Sequence, residues 1–233
     1  MGTHQYTPIH IGTHGFIELI DSMGGDLAVV NDARVSFAAE SEAFSDSDAK
    51  LLRYLAKHKH MSPFRHTQLK FRVKAPEFVA RQFYKHLTGC QYAYKDLPWN
   101  EVSQRYVEVP DEYIVFPNWR SQHATSKQCS GGLLDETTQR CAHWAYDATM
   151  RQIYETYNYL LRIGVAREQA RAVLPLACYT EWVWTASLEA VSNFIRLRDH
   201  DHAQPEIREY AVAMTELARL VAPVAVDALT VKK

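Results

Sequence analysis

The chain has 233 residues, 47% of them hydrophobic and 23% charged, a balance that excludes a fibrous or disordered polymer and allows a substantial core. The formal net charge of -1 argues against a nucleic-acid polymer as partner, which calls for a basic surface. It leaves room for a mononucleotide, which needs only a few cations in one pocket.

No apolar run approaches the roughly 18–20 residues of a bilayer span. Met1–Pro8 also lacks the basic and apolar regions of a secretory signal. A cytoplasmic protein without membrane association is expected. Cys90, Cys129, Cys141 and Cys178 are widely spaced and form no C-x-x-C pair, so neither a structural zinc site nor a disulfide framework is supported.

In chain order, Ser45 to Asp48 has the Ser-x-x-Asp form of a capping box, and Leu51, Leu52 and Leu55 follow at helical spacing. A turn at Met61-Ser62-Pro63-Phe64 leads into a strand in which Thr67, Leu69, Phe71 and Val73 alternate with Gln68, Lys70, Arg72 and Lys74. Pro76 suits the first turn of a helix that Gly89 can stop. Thr88–Pro98 and Pro117–Gly132 read as loops, and Glu112–Phe116 as a strand. A long helix is predicted from near Asp135 to Arg162, closed by Gly164, and a shorter one from Ala166 that ends before Pro175. Tyr179–Trp184 is a further strand candidate. Ser187 and Pro205 then open two helices, the second with Ile207, Tyr210, Ala211, Met214 and Leu217 on its apolar face. Short strands among longer helices, without βαβ alternation, predict an α+β fold. We expect a single domain over residues 1–233, with a mainly antiparallel sheet flanked by helices.

Three constellations carry chemistry. In Arg81–His86, helical spacing would place Gln82 on one face with Lys85 and His86, and Arg81 beside Lys85. That face offers an amide, two cations and an imidazole, although a solvated charged helix has the same pattern. In the extended reading of NEVSQRY (Asn100–Tyr106), Glu101, Ser103 and Arg105 point one way. Such a row suits a phosphate and ribose grip as well as it suits a polar edge strand. Arg171, in the apolar string ARAVLPL, needs an anionic partner from protein or ligand. Arg198 stands ahead of His200 and His202, whose spacing beside Asp199 and Asp201 matches no strong zinc pattern. His58, His60 and His66 likewise lack the cysteine or carboxylate that would complete a metal set. No metal is expected.

The strings HMSPFRH, KAPEFVARQ, NEVSQRY, AREQARAVLPL and NFIRLRDHDHAQPEIR, in that order from His60 to Arg208, resemble the flavin-dependent thymidylate synthases. The likeness runs from about Arg34 to Tyr210. It implies an α+β fold like that of the thymidylate synthase-complementing proteins, bound FAD, reduction of that FAD by NADPH, and methylenetetrahydrofolate as carbon donor. The carbon would pass to C5 of dUMP, giving dTMP, in a homotetramer with shared active sites. Carried over by position, Gln82, Lys85, Glu101, Ser103, Gln104, Arg105, Arg171 and Arg198 would bind dUMP. Arg198, as the catalytic residue, would meet the uracil edge and favour ionisation at N3. Ser62, Lys85, His86, Leu87, Glu101, Ser187, Glu189 and Asn193 would line the FAD site, with His60 in the flavin and folate region.

The chain departs from the family pattern on the flavin side. Lys85-His86-Leu87 replaces Arg-His-Arg, which loses one bidentate fork and one cation. Thr88–Trp99 reads as an insertion, from which Lys95 could restore a charge. Ser187 and Glu189 stand where Asn and Arg are usual, and Arg65 where Glu is usual. Two other readings share the nucleotide grip: a related C5-modifying enzyme such as a dUMP hydroxymethylase, and a non-catalytic nucleotide-binding relative.

Overall fold

The computed structural model describes residues 6–86, 98–127 and 129–231. Among these, the strands are β1 (Ile9–Ile11), β2 (Gly15–Met23), β3 (Gln68–Pro76), β4 (Trp99–Glu101), β5 (Arg120–Gln122), β6 (Ser130–Leu133) and β7 (Tyr179–Ser187). The helices are α1 (Asp26–Arg34), α2 (Asp46–Lys57), α3 (Glu77–Phe83), α4 (Glu136–Arg162), α5 (Arg167–Ala170), α6 (Leu188–Arg198), α7 (Pro205–Val221) and α8 (Pro223–Thr230). The main sheet has the order β1-β2-β3-β7-β4 and is antiparallel at every pairing. This is the expected α+β architecture.

The period-two pattern of β3 decides which face is dry. Leu69, Phe71 and Val73 lie opposite Ala186, Trp184 and Trp182 of β7, and all are buried in one core with residues of α2, α3, α6, α7 and α8. The opposite face carries charge. Arg72 pairs with Glu181 at 2.5 Å and lies over the Phe16 ring, while Lys74 pairs with Glu112 at 2.5 Å. A half-wet antiparallel sheet follows.

The local stop and start signals act as their chemistry requires. Ser45 and Asp48 form the capping box of α2. The Asp135 carboxylate accepts from the amides of Thr137 and Thr138 at 3.0 and 3.1 Å, which starts α4. That helix ends in a Schellman arrangement: Gly164 has φ +88°, its amide donates to Leu161 O, and Val165 N donates to Leu160 O, each at 3.0 Å.

Other expectations are corrected. Glu112–Phe116 is not a strand but makes a single bridge, Tyr113 to Cys178, and α4 also holds it: Tyr154 Oη donates to Glu112 O and Tyr146 Oη to Ile114 O. The expected loop Pro117–Gly132 contains the β5–β6 hairpin. α3 ends at Phe83, and His86 N closes a turn on Phe83 O, so His86 is not helical. Gly89 lies outside the described residues. Strand character in NEVSQRY ends at Glu101, and Ser103 O accepts from Tyr106 N at 2.9 Å in a turn. The strands β1 and β2 and the helix α1 had no counterpart in the sequence reading. No helix among the described residues is long and apolar enough to cross a membrane.

One remote contact closes the fold. Asp26 at the start of α1 accepts from the amides of Val224 and Ala225 at 2.9 Å each, so it caps α8 from almost two hundred residues away in sequence. We expect Asp26→Ala to lower unfolding stability by about 1–2 kcal/mol and Asp26→Asn by less. Urea unfolding measures both, and an unchanged midpoint for Asp26→Ala would show that this remote cap contributes nothing.

Candidate functional site

Two helices meet through aromatic rings and bring the first group of predicted residues together. α3 buries Val79, Ala80 and Phe83, and α6 buries Val191, Phe194 and Ile195. The Phe83 and Phe194 rings lie 4.0 Å apart, and the His86 ring packs edge-on against Phe194 at 5.0 Å. This contact carries Gln82 and His86 to Arg198, the last residue of α6. Arg198 Nε donates to His86 Nε2 at 2.8 Å, and Nη1 donates to Gln82 Oε1 at 3.3 Å. Gln82 Nε2 in turn donates to Gln204 Oε1 at 2.7 Å.

A guanidinium only donates, so His86 Nε2 must present its lone pair and the ring proton lies on Nδ1. Burial, and then the charge of Arg198, push His86 down from 6.5 to about 4. Burial also lowers Arg198 from its ordinary value, with no carboxylate among the causes. The adjacent acids are committed elsewhere: Asp199 and Asp201 pair with Arg208 at 3.3 and 2.9 Å. Arg198 is therefore a half-buried cation held by neutral acceptors.

The second group gathers at the other end of α3. Gln104 Nε2 donates to Glu77 Oε1 at 3.0 Å. Burial raises Glu77 above the usual carboxylate range and Glu101 adds to this, while Arg81, the Gln104 bond and Arg171 oppose it. Arg171 thus finds the anionic neighbour its apolar string demanded. Glu101 Oε1 accepts from Thr180 Oγ1 at 2.7 Å, and Oε2 from Trp99 Nε1 at 3.1 Å. Ser103 Oγ accepts from Arg105 N at 3.4 Å, and the Arg105 guanidinium lies over the Tyr106 ring at 5.0 Å. The turn therefore breaks the expected single row of Glu101, Ser103 and Arg105. Cys178, buried beside this group and pushed up to about 12 by burial, is an inert thiol.

The residues carried over to the flavin side are arranged differently. Ser187 is buried, and its hydroxyl accepts from Ala190 N at 3.2 Å as the cap of α6. Ser62 is exposed at the start of the one-turn helix Ser62–Arg65. The other end of that turn holds Arg65, which pairs with Glu189 through Nε to Oε2 and through Nη2 to Oε1 at 3.3 Å. Asn193 Oδ1 accepts from Arg196 at 2.8 Å, and His60 lies near-parallel to the Tyr54 ring at 6.3 Å. Lys85 is exposed just past α3. Leu87, Lys95 and residues 88–97 of the insertion lie outside the described residues. Among the described residues, no group of three His, Cys, Asp or Glu side chains converges as metal ligands.

Sequence reasoning missed Glu77, Thr180 and Gln204. Glu77 reads as an ordinary acid in a first helical turn. Gln204 had one available signal: it occupies the N-cap of α7 just before Pro205, where Ser, Thr, Asp or Asn is preferred. A groove of about 510 Å³ between β1 and α7, lined in part by Ile9, His10 and Glu216, also takes in Asp201 and Arg208 but none of the side chains that hold Arg198 or gather around Glu77.

Residues 18–224 match the family described as Thymidylate synthase complementing protein. The chain belongs to this family. It is 37% identical over 209 residues to a flavin-dependent thymidylate synthase of Thermosipho africanus, covering 90% of this chain and 88% of the relative. Against a flavin-dependent thymidylate synthase of Thermus thermophilus the identity is 41% over 212 residues, with 91% and 74% covered. Among solved structures it is similar to the UMP/dUMP methylase PolB from Streptomyces cacaoi bound with 5-Br dUMP, with a TM-score of 0.81 and 32% identity over 95% of this chain and 97% of the other. The same enzyme bound with 5-Br UMP gives a TM-score of 0.79 and 30% identity over 94% of each chain.

Arg65 and Glu189, two of the departures expected above, form one ion pair. The single variant Glu189→Arg should weaken FAD binding by setting two guanidinium groups side by side. The double variant Arg65→Glu/Glu189→Arg should restore it. Flavin titration of all three forms decides, and a double variant as weak as the single one would show that the pair is not a simple exchange.

The depressed His86 sets a second expectation. Its neutral form is the one the fold holds, so its contribution is fully present above pH 6.5 and is lost as pH falls from 6.5 through about 4. His86→Gln keeps an acceptor that does not titrate. The stability difference between wild type and this variant, from urea unfolding at pH 7 and pH 4.5, should therefore shrink or reverse in acid. A difference independent of pH would place His86 outside this linkage.

Proposed function

We propose that the chain is a flavin-dependent thymidylate synthase that transfers the one-carbon unit of methylenetetrahydrofolate to C5 of dUMP, giving dTMP, with FAD reduced by NADPH. The family match and the curated relatives support the activity and the flavin. The observation that carries the residue assignment is Arg198, half-buried and held by His86 and Gln82, with no carboxylate on it among the described residues. Its charge is preorganised for an anion, and ionisation of uracil at N3 creates one beside it. That ionisation raises electron density at C5, the carbon that must attack.

For the rest of dUMP, Arg105 with Ser103 supplies a cation and a hydroxyl on one exposed turn. Arg171, Gln104 and Glu101 line the neighbouring half-buried corner, where amide and carboxylate suit ribose hydroxyls. Lys85 adds a second mobile charge for phosphate.

The FAD fit rests on accessible donors: the exposed Ser62 hydroxyl and Lys85 and the half-buried Asn193 amide suit a ribityl and pyrophosphate chain, with the His60 and Tyr54 rings nearby for stacking. Bound FAD supplies the carbon relay and the hydride that completes the methyl group. His86, neutral and fixed on Arg198, contributes shape and an acceptor there, not charge.

The exposure of Trp144 on α4, at 73%, supports the homotetramer with shared sites as part of this proposal. A single domain acting in the cytoplasm completes it. The likeness to a UMP/dUMP methylase favours one variation, in which UMP is also accepted.

Tritium release from C5 of labelled dUMP, with FAD, NADPH and methylenetetrahydrofolate each left out in turn, tests the reading. Release should require the full mixture, and the same assay with UMP tests the variation. Arg198→Ala should cut turnover by roughly 10²–10³-fold while dUMP affinity falls much less. Unchanged turnover would overturn the role given to Arg198. No release from a flavin-loaded protein would overturn the synthase reading itself.

A further inference from the structure

We propose that Gln204 is a positioning residue that locks the orientation of the Gln82 carboxamide and, through it, the placement of Arg198. The inference rests on the reading of Arg198 given above.

Donor and acceptor chemistry fixes the arrangement. Arg198 can only donate, so the oxygen of Gln82 must face it, at 3.3 Å. The nitrogen of Gln82 then has to face away, and its close partner is Gln204 Oε1 at 2.7 Å. Its other contact, Phe78 O one helical turn back, is at the 3.4 Å limit of a hydrogen bond. An amide flipped by half a turn would set its NH₂ against the guanidinium, with no acceptor for Arg198 Nη1. Without Gln204 little holds Gln82 in the productive sense.

Gln204 is well anchored for this task. Its backbone begins α7, with its carbonyl accepting from Ile207 and Arg208 at 3.1 Å each, and Pro205 fixes the next residue. A side chain at this N-cap position ordinarily accepts from the helix's own first amides. That of Gln204 makes no such bond and reaches across to α3 instead. A shorter cap such as Ser would serve α7 better but could not reach Gln82. The residue type at this position is explained by the amide it holds and not by the helix it starts.

Among the described residues, the neighbouring acids supply no substitute. Asp199 and Asp201 are paired with Arg208, and Glu206, in the first turn of α7, accepts from Arg120 at 2.6 Å. Arg198 thus depends on a chain of neutral groups, Gln204 to Gln82 to guanidinium, together with His86.

The test uses the FAD-loaded enzyme and two variants. Gln204→Leu removes the acceptor, whereas Gln204→Glu keeps one, since a carboxylate accepts from the Gln82 NH₂ as a carboxamide does. Gln204→Leu should lose roughly tenfold in kcat with KM for dUMP changed much less, and Gln204→Glu should stay near wild type. An independent readout is the N3 acidity of bound 5-fluoro-dUMP, followed by fluorine NMR against pH. Wild type should lower that pKa below its value in the free nucleotide. Gln204→Leu should move it back by about one unit, the equivalent of the tenfold loss, and Gln204→Glu should not.

A Gln204→Leu enzyme with wild-type kcat and N3 acidity overturns the proposal, as does Gln204→Glu if it is damaged as much as Gln204→Leu. Should Gln204→Leu not fold, Gln204→Met, of similar length and without the carboxamide, is read in the same way. A wild type that lowers the N3 pKa but yields no product overturns the synthase reading and leaves the role of Gln204 standing.

Discussion

The antiparallel register between β3 and β7 is the constraint on which the site depends. The pairing runs unbroken from Gln68 opposite Ser187 to Pro76 opposite Tyr179. Each end of it fixes one part of the chemistry. At the first, the turn that leads into β3 meets the start of α6, so Arg65 reaches Glu189. At the second, α3 leaves β3 where β7 begins, so Glu77 N donates to Cys178 O and the Glu101 carboxylate finds Thr180. A slip of one residue would turn Phe71 and Trp184 to solvent and carry the Arg72–Glu181 pair into the core. The buried aromatic face therefore protects the register, and the register places the polar residues.

From that frame, α3 and α6 run over the dry face until Phe83 meets Phe194. The rings do for Arg198 what no carboxylate does: they bring it acceptors without neutralising it. A carboxylate on Arg198 would hold the side chain more strongly, but it would also cancel the charge on which the proposed role of Arg198 rests. Neutral acceptors give position at the cost of desolvation, which is visible in the lowered values of both Arg198 and His86. Such a grip is only as good as the orientation of its amides, which is why a glutamine outside the direct contacts of Arg198 matters.

The parts of this fold that were legible in the sequence are those decided within one turn of chain. Asp135, Gly164, Ser187 and Pro205 bound their helices where cap chemistry put them. The period of β3 gave both its strand and its wet and dry faces. What was not legible depends on partners far away. Glu112–Phe116 has strand-like residues, but its pairing with the start of β7 stops at one bridge and α4 tyrosines hold the rest of it, so tertiary contacts and not propensity decide its form. The row read into NEVSQRY assumed an extended chain, and the Ser103 turn ended it. Gln204 could not be ranked above any other surface glutamine until α3 was seen beside α7.

The flavin side shows why departures from a family pattern need to be read in pairs. Taken singly, Arg65 and Glu189 each look like damage: an acid turned basic and a base turned acidic. In space they are one ion pair, so each neutralises the other and the two together leave the local charge balanced. That pairs two of the departures and sets them apart from those at positions 85 and 87. Leu87 removes a cation with no compensating gain among the described residues, and Lys85 offers a point charge in place of a fork. A pyrophosphate can accept a point charge, whereas a planar ring edge benefits from the fork. The exchange at position 85 should therefore change how tightly the flavin is oriented more than whether its phosphates are bound.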